Sequence, residues 1–210
     1  MKPLKILLYG NCQLSVIGKW LTNFDHLSIP KPSEFDFVHE QPEIWHDYVF
    51  FPNVIKKNYR FLEILKNFDY ILFQDVLSDD FYITAKEIYE YKCKAKKICF
   101  PNFHFNSYLK TKQEQLKDLN NLKERESNYQ KKYENNITMH DFIQENYEKI
   151  LLVKTEKEPN HPTIFYYKKL ITKFCAKFPE LRLEPINFPK NPHGEIDQNF
   201  MEKIKLNPND

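Results

Sequence analysis

Two short segments carry the residues with chemical potential. The first is Gly10-Asn11-Cys12-Gln13 and the second is Glu158-Pro159-Asn160-His161-Pro162-Thr163. A cysteine at the start of a helix sits beside backbone N–H groups that lack an acceptor within the helix, and beside the positive end of the helix dipole. Both favour thiolate and turn the sulfur into a nucleophile. A histidine held between prolines has a fixed position. Glu158, three residues earlier, can accept the other ring N–H and set the tautomer. Thiol, imidazole and carboxylate are together the groups of nucleophilic catalysis. The plainer reading packs Cys12 into a helix–sheet contact and has Asn160 or Thr163 cap a helix whose first turn holds Pro162. Capping and catalysis are compatible in that segment. Cys93, Cys99 and Cys175 fall in a lysine-rich helix end, a strand and an amphipathic helix, where packing accounts for them.

These residues need a scaffold that delivers them to one edge. Residues 5–9 form an apolar run closed by Gly10, the pattern of a buried strand in a parallel sheet. Leu14, Ile17, Trp20 and Leu21 then recur at helical spacing, so a helix starts near Cys12 or Gln13. Residues 35–39 read as a second strand between prolines. Residues 58–67 read as a helix with Tyr59, Leu62 and Leu65 on one face. Strands follow at 70–74 and 97–100, with a helix between them at 81–91. Residues 111–134 read as an exposed or inserted helix whose charge a solvated face explains. Helices follow at 137–152 and 163–178. Alternating strands and helices imply a mostly parallel sheet with helices on both faces. In such a sheet ligands bind outside the carboxyl ends of the strands. Three polar groups fall at those ends: Gly10-Asn11-Cys12-Gln13, Gln74-Asp75 and Asn102-Phe103-His104.

Composition narrows the class. The chain has 210 residues, enough for one large domain without disulfide or metal staples. We expect a single α/β domain over 1–210, with a polar helical insertion near 107–136 and a loop-rich tail from about 185. Lys and Arg number 31 against 29 Asp and Glu, a net charge of +2, which argues against a general nucleic-acid binder. The four cysteines form no CxxC pair, so neither a zinc ribbon nor a thioredoxin-type site is expected, nor any metal. No apolar run is long enough for a signal peptide or a membrane span, and the expectation is a reduced, cytoplasmic protein. With only three glycines in the chain, Gly10 is expected to be there for backbone freedom in a tight turn.

The turn, the later strand-end Asn and the acid-x-x-His block resemble the SGNH hydrolase superfamily. Cys12 stands where that superfamily usually has Ser, and Glu158 where it has Asp. More narrowly, Tyr9-Gly10-Asn11-Cys12-Gln13, Phe73-Gln74, Pro101-Asn102 and Asn160-His161-Pro162-Thr163 are similar to a family of bacterial capsular polysaccharide biosynthesis proteins. Its members are regarded as acetyltransferases that bind coenzyme A. The resemblance spans residues 4 to 175 and implies a three-layer sandwich around a mostly parallel sheet. It implies that acetyl-CoA is the donor and a glycan or nucleotide-sugar hydroxyl the acceptor. Cys12 would attack the thioester, and its own N–H with the side chains of Gln74 or Asn102 would stabilise the oxyanion. His161 would then deprotonate the acceptor hydroxyl, with His104 as a second candidate base. Direct transfer in a ternary complex, with Cys12 only shaping the site, uses the same residues. The three phosphate groups of coenzyme A need a local basic cluster, and Lys56, Lys57 and Arg60 are the candidates. An esterase or thioesterase using the same triad on water, and a non-catalytic module of a polysaccharide-assembly complex, are the alternatives.

Overall fold

The computed structural model describes residues 2–38, 48–55, 57–76, 82–102, 112–146, 162 and 164–186. The strands are β1 (Leu4–Tyr9), β2 (Leu27–Ser28), β3 (Tyr70–Gln74) and β4 (Lys96–Phe100). The helices are α1 (Cys12–Leu21), α2 (Pro52–Ile55), α3 (Tyr59–Ile64), α4 (Ala85–Glu90), α5 (Lys112–Lys132), α6 (His140–Glu145) and α7 (Ile164–Lys177). Strand order is β2-β1-β3-β4 and every pair is parallel. The chain is therefore an α/β protein whose described residues form a four-stranded parallel sheet.

Alternation along the strands explains the cover on both faces. Ile6 and Leu8 of β1 join Leu72, Ile98 and Phe100 in one cluster with residues of α1, α5, α6 and α7. Leu7 and Tyr9 join Ile71, Phe73 and Cys99 in a second cluster with Phe61 of α3 and Ile88 of α4. Strands buried on both faces read as continuous apolar runs, which is why β1, β3 and β4 are legible in the sequence. From β1 the chain goes to β2 on one side and returns to β3 on the other. The strand order thus switches between β1 and β3, the point at which open parallel sheets bind ligands outside their carboxyl ends. Phe50 bridges Tyr9, and Asn136 bridges Cys99, so both flanks of the sheet are extended at this end.

Four expectations are corrected. The second strand is Leu27–Ser28, not 35–39. Pro32–Glu34 is a 3-10 turn, and Val38 N–H closes a further turn onto the Phe35 carbonyl at 3.1 Å. The Phe35 and Phe37 rings turn onto each other, and Phe35 packs on Phe50, so stacking rather than pairing accounts for that apolar run. In α3 the buried residue is Phe61, whereas Tyr59 is exposed. α5 is not merely solvated: Leu116 is exposed, but Leu119, Leu122 and Glu126 are buried, as is Tyr133 just beyond its end. α6 is shorter than 137–152 within the described residues, ending at Glu145. The expected tail from about 185 lies almost wholly outside the described residues, as does 103–111 at the start of the expected insertion. Among the described residues no helix is long and apolar enough to cross a membrane.

Candidate functional site

The three polar strand ends meet at the β1/β3 switch and are laced together. Asn11 caps α1: its Oδ1 accepts the Gln13 N–H at 2.9 Å, and its carbonyl accepts the Leu14 N–H at 3.0 Å. Its own N–H donates to Gln74 Oε1 at 3.1 Å, and its Nδ2 donates to Asn102 Oδ1 at 2.9 Å. Gln74 Nε2 donates to the Pro101 carbonyl at 2.9 Å, and Asn102 Nδ2 to the Asp75 carbonyl at 3.3 Å. Gln74 and Asn102 are buried at 1% and 3% exposure, so these amides could not exchange their partners for water. The result is a clasp that ties the ends of β1, β3 and β4 and fixes the start of α1. Cys12 is the first residue of that helix, half-buried, with Ser15 Oγ donating to its carbonyl at 2.6 Å.

Gly10 is needed for space rather than for backbone freedom. A Cβ there would lie 2.5 Å from Gln74 Oε1, and its backbone is outside the left-handed region. The clasp can close only because this position has no side chain.

Gln74 and Asn102 direct amide N–H groups to backbone carbonyls, the geometry of groups that hold the rim in shape. Gln13 is buried on α1. Beyond the clasp, Tyr133 hydroxyl donates to Asp75 Oδ2 at 3.3 Å and Tyr129 hydroxyl to the Asp75 carbonyl at 3.4 Å. The Tyr133 ring meets Phe73 and Tyr89 edge-on, and those two rings are tilted to each other. Burial and then the Asp75 charge hold both phenols well above their ordinary range, so they remain donors. Neither tyrosine was anticipated at the rim, although 119, 122, 126, 129 and 133 repeat at helical spacing.

α7 supplies the other wall. Tyr167 on its second turn is fully buried, and its phenol is held well above the ordinary range by burial first and by the neighbouring Cys12 charge second. Pro162, just before the helix, is buried as well. Glu158, His161, His104 and Lys56 lie outside the described residues. Lys57 is exposed. Arg60 reaches both oxygens of Asp36 at 2.8 Å, and its guanidinium lies over the Phe37 ring, so this cation is already paired. Cys99 and Cys175 fit packing roles: burial pushes the Cys99 thiol up, and pushes Cys175 up to about 11. Among the described residues no group of three His, Cys, Asp or Glu side chains could hold a metal ion. No family model, curated protein or solved structure matches the chain.

Proposed function

We propose that the chain is an acyltransferase that moves an acetyl group from acetyl-CoA to a sugar hydroxyl in surface or capsular polysaccharide synthesis, on a three-layer sandwich of the SGNH-hydrolase kind. The observation that carries this reading is the position of Cys12. It is the first residue of α1, on a rim locked by Asn11, Gln74 and Asn102, at the β1/β3 switch. The two hydrophobic clusters, one on each face of the sheet, support the three-layer reading.

Cys12 thiolate attacks the thioester carbonyl. A bond forms between Cys12 Sγ and the acyl carbon, and the coenzyme A sulfur leaves. Exchange of one thioester for another is nearly isoenergetic, so cysteine suits this donor. The start of α1 directs its N–H groups and dipole at the developing charge. In the second step a sugar hydroxyl attacks the acyl carbon, its proton passes to His161, and Cys12 Sγ leaves. α7 begins at this end of the sheet, which supports bringing His161, the neighbour of buried Pro162, within reach of the sulfur. Glu158 orients the imidazole. The clasp gives Gln74 and Asn102 a positioning part, leaving the backbone at Cys12 as the main oxyanion donor. Arg60 is committed to Asp36, which leaves Lys56 and exposed Lys57 of that basic group to meet the donor phosphates.

The test is incubation with acetyl-CoA with and without a glycan acceptor, following free coenzyme A and acetylated acceptor. Acceptor-dependent release that disappears in Cys12→Ala supports transfer. Equal release without acceptor makes the protein a hydrolase, and undiminished transfer by Cys12→Ala removes the cysteine from the chemistry.

A further inference from the structure

We infer that Arg125 holds a phosphate group of the acceptor, which makes the acceptor a sugar phosphate or a nucleotide sugar. This rests on the acyl-transfer reading above.

Three features of α5 carry it. The first is burial without a partner. Among the described residues the Nε of Arg125 is buried and makes no hydrogen bond. A buried N–H left unpaired is costly, so native chains satisfy such a group or keep it for a ligand. The second is charge without a counter-ion. The chain has three arginines. Arg60 is paired with Asp36. Arg182 lies two residues past Glu180, which meets Lys96 at the amino end of β4. Among the described residues no carboxylate pairs with Arg125. Its neighbour Glu126 is taken up by the N–H groups of Met139 and His140.

The third feature is place. Tyr129 follows one turn later on the same face of α5, and a helical side chain leans back over the turn before it, here the turn of Arg125. Burial first and the Asp75 charge next raise the Tyr129 phenol, and the Arg125 charge opposes that rise. Three hydrogen bonds then lead from Tyr129 to the residue before Cys12. The Tyr129 hydroxyl and Asn102 Nδ2 both donate to the Asp75 carbonyl, and Asn102 Oδ1 accepts from Asn11 Nδ2. The Asp75 carboxylate is engaged by the Tyr133 hydroxyl, a further turn along, and not by Arg125.

A guanidinium with a free fork suits phosphate, which it grips through two parallel N–H bonds. The position says which phosphate. The ends of β1 and β4 stand two strand spacings apart, about 10 Å. α5 approaches from the β4 side, since Asn136, just past it, bridges Cys99. A sugar joined directly to phosphate fits between the Cys12 sulfur and a cation on that side. In coenzyme A the whole pantetheine arm separates the sulfur from the nearest phosphate, which carries the donor phosphates past Arg125.

The experiment labels the arginines of the wild-type chain with phenylglyoxal and reads them by peptide mass spectrometry. Inorganic pyrophosphate and glucose 1-phosphate are the probes, with glucose and coenzyme A as comparisons. Arg125 should be labelled in the free chain and lose that labelling as either probe saturates, while Arg182 does not change. Glucose and coenzyme A should leave Arg125 as it was. Arg125→Gln should weaken glucose 1-phosphate binding by roughly 10- to 100-fold in calorimetry, with Arg125→Lys between it and the wild type. An arginine that only packs its stem on Tyr129 would be labelled at one rate with or without phosphate, and that result overturns the inference. So does an Arg125 that resists labelling in the free chain. Protection by coenzyme A equal to that by the sugar phosphate overturns it too, and assigns Arg125 to the donor. The labelling needs no variant to fold and no acetyl transfer. Failure here leaves acyl transfer to an uncharged sugar standing, and failure of acyl transfer leaves the phosphate site measurable.

Discussion

Replacing Gly10 by alanine puts a methyl carbon 2.5 Å from Gln74 Oε1 and 3.2 Å from Gln74 Cβ and Cδ. Gln74 has little freedom to yield. It is 1% exposed, and its amide is held at both ends, by the Asn11 N–H and by the Pro101 carbonyl. Moving Oε1 away from the new methyl breaks the first bond and strains the second. Overpacking of a tight site costs about 1–3 kcal/mol. A buried amide left without its partner costs about 1–3 kcal/mol more. The sum is roughly 2–6 kcal/mol. At about 2–4 °C per kcal/mol for a chain of this size, the melting temperature should fall by roughly 4–24 °C. Thermal unfolding followed by circular dichroism reads this directly. The sharper version is a double-mutant cycle. Gln74→Ala alone loses both amide bonds, but it also removes the obstacle, so Gly10→Ala with Gln74→Ala should be about as stable as Gln74→Ala alone. The coupling then equals the whole cost of Gly10→Ala, roughly 2–6 kcal/mol. Gly18→Ala is the comparison: its Cβ would meet Tyr48 Cβ at 3.0 Å, and the about 1 kcal/mol gained in helix propensity offsets part of that cost. A Gly10→Ala protein that melts with the wild type, or a cycle in which the two losses add, refutes the reasoning.

Three further outcomes are expected. In brief iodoacetamide labelling at neutral pH, Cys12 reacts first and Cys99 and Cys175 last, because burial holds those two thiols up; equal labelling of all four cysteines contradicts this. Glu126 on α5 accepts the N–H groups of Met139 at 2.7 Å and His140 at 2.9 Å, holding the start of α6, while burial raises its carboxyl. Below that raised value the native chain binds a proton that the unfolded chain does not, so stability relative to Glu126→Gln should grow as pH falls through it and level off below the ordinary carboxylate range. Chemical denaturation across pH 4 to 8 (roughly the window that bounds these events) checks the sign, and an advantage that instead grows with rising pH would falsify it. Arg60→Ala breaks an exposed pair and should cost less than about 1 kcal/mol, without altering the thermal shift produced by coenzyme A; a lost shift would return Arg60 to the donor site.

What was legible in the sequence follows the range of the forces involved. β1, β3 and β4 announce themselves through the apolar runs 6–9, 70–73 and 98–100, and α1 through its periodic apolar face after Asn11. β2 leaves no such trace. Two residues pairing only with Leu4 and Lys5 cannot generate a period. The polar strand ends could be marked as a group, since strand ends in a parallel sheet share one edge. Their bonding could not, because Gln74 meets Asn11 from 63 residues away. A separation of 24 residues likewise hid the Asp36 partner of Arg60, and so a cation expected at the site is spent elsewhere. Glu126 was hidden differently. In a helix rich in charge it looks solvated, yet it falls on the line of Leu119, Leu122 and Tyr133, and that spacing carried the signal of its burial.

The central claim is that Cys12 carries the acyl group, and intact-protein mass spectrometry after mixing with acetyl-CoA tests it most directly. The account predicts one acetyl group on the chain, mapped to Cys12 by peptide analysis and absent from Cys12→Ala. It should accumulate in His161→Ala, which lacks the base for the second step, and discharge from the wild type when the acceptor is added. No adduct in the wild type or in His161→Ala, together with acceptor acetylation by Cys12→Ala at the wild-type rate, would contradict it.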